Sequence, residues 1–224
     1  MKISTIVAAS AAALLLAGAS AAGAQTFSNG PASGSIGSFG YSDSQTYGEV
    51  FSAQATGNLS SFTMYLNGAI GGTLYGGIAE WNGGSSFGLG SGVSNILFES
   101  AQIAADHAGA YTFSPNVSLT SGNTYVAYLS AFGVDHSGQT STSMPLGSGG
   151  NGFDYFVWQN DEFSGQGPND ASWNYFGNFG NARLDLTFAT GAVPEPVTWG
   201  LMLFGLGSLG GMLRLQRRRG LAVA

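Results

Sequence analysis

Glycine supplies 37 of the 224 residues, about one position in six against an ordinary usage near 7%, and this restricts the fold more than any other feature. Glycine loses more backbone freedom on folding than any other residue and costs about 1 kcal/mol relative to alanine inside a helix. A helical bundle with glycine spread this densely would be undermined along its whole length. Together with 12% aromatic residues and heavy use of Ser, Thr and Asn, the composition favours short strands separated by many turns. There is no cysteine, so neither disulfides, thiol chemistry nor a cysteine zinc site is available, and the core must hold by packing.

The strand signal is direct in two places. Phe62, Met64 and Leu66 share one face of an extended segment 59–66, and Ala182, Leu184, Leu186 and Phe188 alternate with Arg183, Asp185 and Thr187. Both spacings are those of half-buried strands. Further candidates are 45–54, 73–81, 95–100, 110–114, 123–132, 153–158 and 172–177, separated by turn clusters such as Asn67-Gly68, Asn82-Gly83-Gly84 and Ser121-Gly122-Asn123. About nine such strands predict an all-β, antiparallel β-sandwich of jelly-roll type.

The two ends differ from this middle. Lys2, the apolar run Ile6–Ala17 and the small residues that follow form a signal peptide over 1–24. Its A-x-A site, Ala22 and Ala24, precedes a cleavage point at Gln25. At the other end, Val193-Pro194-Glu195-Pro196-Val197-Thr198-Trp199 leads into an uncharged run and then into Arg214, Arg217, Arg218 and Arg219. Seventeen residues, 197–213, would rise roughly 26 Å as a helix, close to a bilayer's hydrocarbon thickness. The expectation is one transmembrane helix there, its arginines cytoplasmic and Trp199 near the outer interface. Pro194 and Pro196 would keep the preceding segment extended. Residues 220–224 would form a short cytoplasmic end. This leaves an ectodomain over 25–192, long enough for one real core. It holds one arginine against eleven acids, a net charge of −10 that disfavours nucleic acid and anionic lipid.

The order P-E-P-x-x-W, apolar run, arginine cluster over 193–219 resembles the C-terminal sorting signal of PEP-CTERM proteins. The resemblance implies a Gram-negative host and processing by an exosortase near Pro194, Glu195 and Pro196. It further implies transient contact with the inner membrane through the C-terminal helix, and a final place at the cell surface or in the extracellular matrix. A plain single-pass anchor is the competing reading. Residues 59–66, the turn Ala79-Glu80-Trp81-Asn82-Gly83 and the segment 119–130 resemble jelly-roll ectodomains that carry such tails, which bears on fold more than on activity.

Catalytic patterns do not assemble. Gly84-Ser85-Ser86-Phe87-Gly88 fits G-x-S-x-G, but no helix is expected after it, as a nucleophile elbow requires. Gly205-Leu206-Gly207-Ser208-Leu209-Gly210 fits G-x-G-x-x-G outside any βαβ unit, and Gly207 with Gly211 fits a helix-pairing motif. The histidines follow acids, Asp106-His107 and Asp135-His136; neighbours on an extended strand point to opposite faces, so neither pair makes a metal site or a dyad by itself, and with both in expected loops the histidines are read as solvated.

The richest segment is 151–179, where nine aromatic residues mix with Asp, Asn and Glu. Flat rings stack on the apolar face of a sugar while acids and amides meet its hydroxyls, and Tyr155, Trp158, Trp173 and Tyr175 are the candidate glycan contacts. The competing reading puts these rings in the sandwich core. Hard oxygen ligands at Asp161, Glu162 and Asp170 make calcium the one candidate ion, with no other cofactor implied. The expectation is an exported, non-enzymatic glycan-binding or matrix module whose partners are an exosortase and an exopolysaccharide. The alternative is a self-assembling surface or biofilm protein, because a domain without lysine lacks a common protection for sheet edges. A secreted polysaccharide-active enzyme using two of the eleven acids is the third class.

Overall fold

The computed structural model describes residues 23–83, 92–159, 167–169, 173–175, 180–189 and 205–206. Its strands, in chain order, are β1 (Ala24–Ser28), β2 (Pro31–Gly40), β3 (Thr46–Ser52), β4 (Gly57–Leu66), β5 (Thr73–Trp81), β6 (Val93–Glu99), β7 (Ile103–Ala104) and β8 (Gly109–Phe113), followed by β9 (Val117–Leu119), β10 (Thr124–Ser130), β11 (Ser141–Gly147), β12 (Phe153–Gln159), β13 (Asn174–Tyr175), β14 (Asn181–Ala182) and β15 (Leu184–Ala189). Among the described residues every ladder between these strands is antiparallel.

Three sheets result. One runs β1-β15-β4-β8 with β9 also on β4, a second runs β13-β12-β3-β10-β5-β6 with β7 also on β5, and a third runs β14-β11-β2. The alternation read in 59–66 and 182–188 turns Leu59, Phe62, Met64, Leu66, Leu184, Leu186 and Phe188 into one buried face. It packs in a single core with Tyr47, Phe51, Leu74, Ile78, Tyr125, Ala127 and Leu129 of the second sheet. Phe62 of the first sheet meets Phe98 of the second edge to face at 6.5 Å. The architecture is an antiparallel β-sandwich; its sheet orders do not identify it as a jelly roll.

The chain divides into two units, Ala24–Ala189 and a second formed by Met1–Gly23 with Thr190–Ala224. Within the first, the last strand, β15, lies between β1 and β4. Ala24 is therefore the register partner of Ala189, and Gln25 that of Phe188. Two buried polar side chains clasp the approach to β15. Asn29 donates from Nδ2 to the Ala182 carbonyl at 2.7 Å and accepts from the Leu184 amide at 2.9 Å. Glu49 accepts from Asn181 Nδ2 at 2.5 Å and from the Ala182 amide at 2.8 Å. Burial holds the Glu49 carboxyl well above the usual carboxylate range, against the pull of those two donors.

Two expectations need correction. Among the described residues no helix is long and apolar enough to cross a membrane; the transmembrane helix expected over 197–213, and the inner-membrane contact built on it, are not found among them. Of that range only Gly205 and Leu206 are described, both helical. Hydropathy measures what a segment would gain in lipid and not its tendency to coil; five of those seventeen residues are glycine, each costing about 1 kcal/mol in a helix. The second correction concerns strand number. β1, β2, β7, β9 and β11 lie outside the expected strands; β7 is only two residues long, and Pro31-Ala32-Ser33-Gly34-Ser35 of β2 and Ser141-Thr142-Ser143 of β11 carry no apolar alternation to mark them. Bulges interrupt the β2–β11 ladder and shift its register, which further erases a period of two.

Candidate functional site

Most strands of the second sheet are apolar on both faces. Thr46 through Phe51 are all buried, and the face turned away from the main core carries its own cluster of Val50, Ala79, Trp81, Val126, Tyr128, Val157 and Trp173. Register explains who meets whom. One row runs Tyr175–Val157–Gly48–Tyr128–Gly77–Glu99, and the next runs Tyr155–Val50–Val126–Ala79–Ile96.

Gly48 and Gly77 of the first row, and Gly92 just before β6, make room for rings. A Cβ on Gly48 would lie 3.1 Å from Trp173 Cζ3, and one on Gly92 would lie 2.6 Å from Trp173 Cδ1. The Trp173 indole thus settles onto bare backbone. It stands edge-on to Trp81 at 5.8 Å and to Tyr128 at 5.9 Å, and its Nε1 donates to the Pro168 carbonyl at 3.3 Å. Tyr128 crosses Gly77 and donates to Glu99 Oε1 at 2.7 Å. Burial first, and Glu99 second, push the Tyr128 hydroxyl far above the usual phenol range, so it remains a donor.

The open side of the cluster is formed by Tyr155 and Tyr175, both half-buried. Their rings lie 4.8 Å apart at 65°. Trp81 Nε1 donates to Tyr155 Oη at 2.9 Å, and Tyr155 Oη in turn faces the Gly83 carbonyl at 3.4 Å. Burial raises the Tyr155 hydroxyl above the usual phenol range. The Tyr155 ring is consequently held at its hydroxyl by Trp81 and along its face by Tyr175. Nearby charge is acidic: Glu99, and Asp154, which accepts from Ser52 Oγ at 3.0 Å. Among the described residues Arg183 is the sole lysine or arginine, and its guanidinium lies 3.8 Å over the Tyr65 ring on the first sheet.

Three of the four expected glycan contacts, Tyr155, Trp173 and Tyr175, share this face. Trp173 is only 1% exposed and packs inside the cluster against Trp81 and Tyr128. Trp158 is on the opposite face of β12, 8% exposed and stacked on Phe156 at 5.7 Å. The spacing held that information: 155 and 158 differ by an odd number, and side chains alternate faces along a strand. Trp81 and Tyr128 were missed as site residues, although 73–81 and 123–132 were read as strands; their parity with the glycines opposite only registers once strand pairing is known.

Asp161, Glu162 and Asp170, the calcium candidates, lie outside the described residues, as do Gly84-Ser85-Ser86-Phe87-Gly88, Ala22, Pro194, Glu195, Pro196, Trp199, Arg214, Arg217, Arg218 and Arg219. Among the described residues no three His, Asp or Glu side chains converge as a metal site would require. Ala24 and Gln25 begin β1. His107 stacks on Tyr111 at 4.7 Å and His136 on Tyr41 at 4.6 Å. His107 Nδ1 also meets Asp106 Oδ1 at 3.0 Å, a contact the strand argument excluded and a bend in the chain allows.

Comparison with known families gives one match, the PEP-CTERM protein-sorting motif, over residues 192–219. No curated protein and no solved structure matches the chain. The motif places it among exported proteins of the cell surface or exterior.

Proposed function

We propose that this chain, exported under a PEP-CTERM sorting motif, is a non-catalytic glycan-binding module of a bacterial cell surface or extracellular matrix. One observation carries the reading: the half-buried rings of Tyr155 and Tyr175 lie 4.8 Å apart, and Tyr155 is held by a 2.9 Å hydrogen bond from Trp81. Fixed aromatic rings offer apolar area at little entropic cost, as a sugar's C–H face requires. Asp154, whose charge acts on the Tyr155 hydroxyl, supplies an acceptor for sugar hydroxyls at the margin. The surrounding negative charge suits a neutral polysaccharide better than an acidic one. In this reading an exosortase acts near Pro194–Pro196 and frees or transfers the domain.

The test is retention on insoluble polysaccharides and titration with soluble ones, for wild type, Tyr155→Ala and Tyr175→Ala. Each substitution removes a ring worth about 1.4 kcal/mol or more and should weaken binding about tenfold, read at a temperature below the thermal transition of each variant. Unchanged retention in both variants refutes the site, and hydrolysis of the polysaccharide during the same incubation refutes the non-catalytic assignment.

A second reading, self-assembly, is favoured by β1. It forms one edge of its sheet, is mostly exposed, and consists of Ala24-Gln25-Thr26-Phe27-Ser28 without charge or proline, a sequence open to edge-to-edge pairing. Mass that rises with concentration, and is abolished by Thr26→Lys, would favour it.

A further inference from the structure

Trp158, separated from the aromatic face by the thickness of β12, lines a different feature. A half-open cleft of about 150 Å³ lies between Ile36 and Gly37 of β2, the Asp43–Ser44 loop, Tyr47 of β3, and Phe156 and Trp158 of β12. Its apolar wall is ordered: Phe156 and Trp158 stack at 12°, and Tyr47 meets Phe156 edge-on at 4.8 Å.

The rim is equally fixed. The Gly40 amide donates to the Ser44 carbonyl at 3.0 Å, Asp43 N to the Gly40 carbonyl at 3.1 Å, and Ser44 N to the Ser38 carbonyl at 3.3 Å. Gly40 adopts a φ of +120°, and a Cβ there would lie 2.6 Å from the Thr140 carbonyl oxygen, so the turn depends on glycine. This turn sets the exposed Asp43 carboxylate and the Ser44 hydroxyl at the mouth. The Tyr47 hydroxyl, pushed up to about 12 chiefly by burial, stays protonated at any physiological pH.

Size, polarity and charge limit the occupant. Cavities of about 150 Å³ accommodate a six-membered ring. An apolar wall opposite hydroxyl and carboxylate groups fits a ring with one C–H face and a hydroxylated edge, and fits a wholly apolar ring poorly. Among the described residues Asp43 is the one charged residue lining the cleft, which disfavours an anionic sugar. We propose that this cleft is a second glycan subsite that takes a single uncharged pyranose unit, with Phe156 and Trp158 against its C–H face and Asp43, Ser44 and Tyr47 at its hydroxyls. The proposal shares a ligand class with the aromatic-face reading but none of its residues, so either can fail alone.

The experiment titrates the full chain with methyl glycosides of neutral hexoses, with glucuronate and with phenol, following the heat of binding by isothermal titration calorimetry. Wild type and Tyr155→Ala should both respond to a neutral glycoside, and Trp158→Phe, which keeps a ring in the wall, should not. Glucuronate should bind about tenfold or more weakly, and Asp43→Asn should narrow that gap. Asp43 is exposed, so this variant decides the matter even if Trp158→Phe does not fold. Silence of wild type toward every neutral glycoside, equal binding of glucuronate, or a response to phenol alone overturns the subsite. A response lost in Tyr155→Ala but kept in Trp158→Phe overturns it too and assigns the signal to the aromatic face.

Discussion

Replacing Gly77 by alanine tests whether the aromatic face is built on bare backbone. Gly77 stands between Tyr128 of β10 and Glu99 of β6, and the Tyr128 ring crosses it to donate to Glu99. A methyl at 77 would fall inside contact distance of Tyr128 Cζ and Oη, and 2.5 Å from Cε2, where carbon pairs need about 3.5–4.0 Å. The ring cannot step aside without loss, because Tyr128 is fully buried and Trp173 stands 5.9 Å away. Overpacking of this kind costs about 1–3 kcal/mol. Turning the ring would also forfeit the bond to Glu99, about 1–2 kcal/mol more. Relief of glycine's chain entropy returns about 0.5–1 kcal/mol. The net loss is about 1–4.5 kcal/mol, and at roughly 2–4 °C per kcal/mol for a domain of this size, Tm should fall by roughly 2–18 °C.

The assay is thermal unfolding of the full chain followed by near-ultraviolet circular dichroism, which reads the packed aromatics directly. Gly57→Ala is the control: its Cβ would meet only the Ala189 carbonyl oxygen at 3.5 Å, so Tm should hold or rise slightly. A Gly77→Ala transition within a degree of wild type would refute the reasoning. So would strict additivity with Tyr128→Ala in a double-mutant cycle, where a shared clash demands a coupling of about 1–3 kcal/mol.

Three further outcomes follow from the buried polar groups and the strand order. The Glu49 carboxyl is raised by burial, so the folded chain keeps a proton that the unfolded chain releases near about pH 4.3; the associated stability is complete below that value and is lost as pH rises from there, at up to about 1.4 kcal/mol per unit. Urea titrations should find Glu49→Gln less pH-dependent than wild type, and a wild-type-minus-variant difference constant from acid to neutral pH would exclude the mechanism. Asn29→Ala orphans the Ala182 carbonyl and the Leu184 amide and should cost about 2–5 kcal/mol; a loss under 1 kcal/mol in the same titration would mean that water replaces the side chain. Because Ala24 and Gln25 pair with Ala189 and Phe188, the bond read as the signal cleavage point lies within a ladder that closes only with the last strand. The folded full chain should therefore resist signal peptidase in vitro while urea-unfolded chain is cut, and equal cleavage of both would show that β1 frays.

The sequence was legible where one face of a strand meets water. β4 and β15 alternate because their outer sides carry Ser61, Thr63, Tyr65, Asp185 and Thr187, and for them a period of two predicts core and surface alike. β3, β10 and β12 are covered on both sides, so their runs announce strands but not faces. That is why four aromatic residues grouped by nearness in sequence divided between two sites, Trp158 in the cleft and Tyr155, Trp173 and Tyr175 on the aromatic face. Glycine hid the most. Read along the chain it marks turns, and Gly40, Gly71 and Gly122 do adopt positive φ. Gly48, Gly76 and Gly77 instead lie in strands, beneath Trp173, Phe113 and Tyr128 respectively. Each is paired with its ring by strand register or tertiary packing and not by proximity in sequence. The glycine abundance that rules out a helical fold therefore also makes the space in which the rings of the candidate site are seated, and substitutions at strand glycines should perturb that site more than substitutions at turn glycines far from any ring.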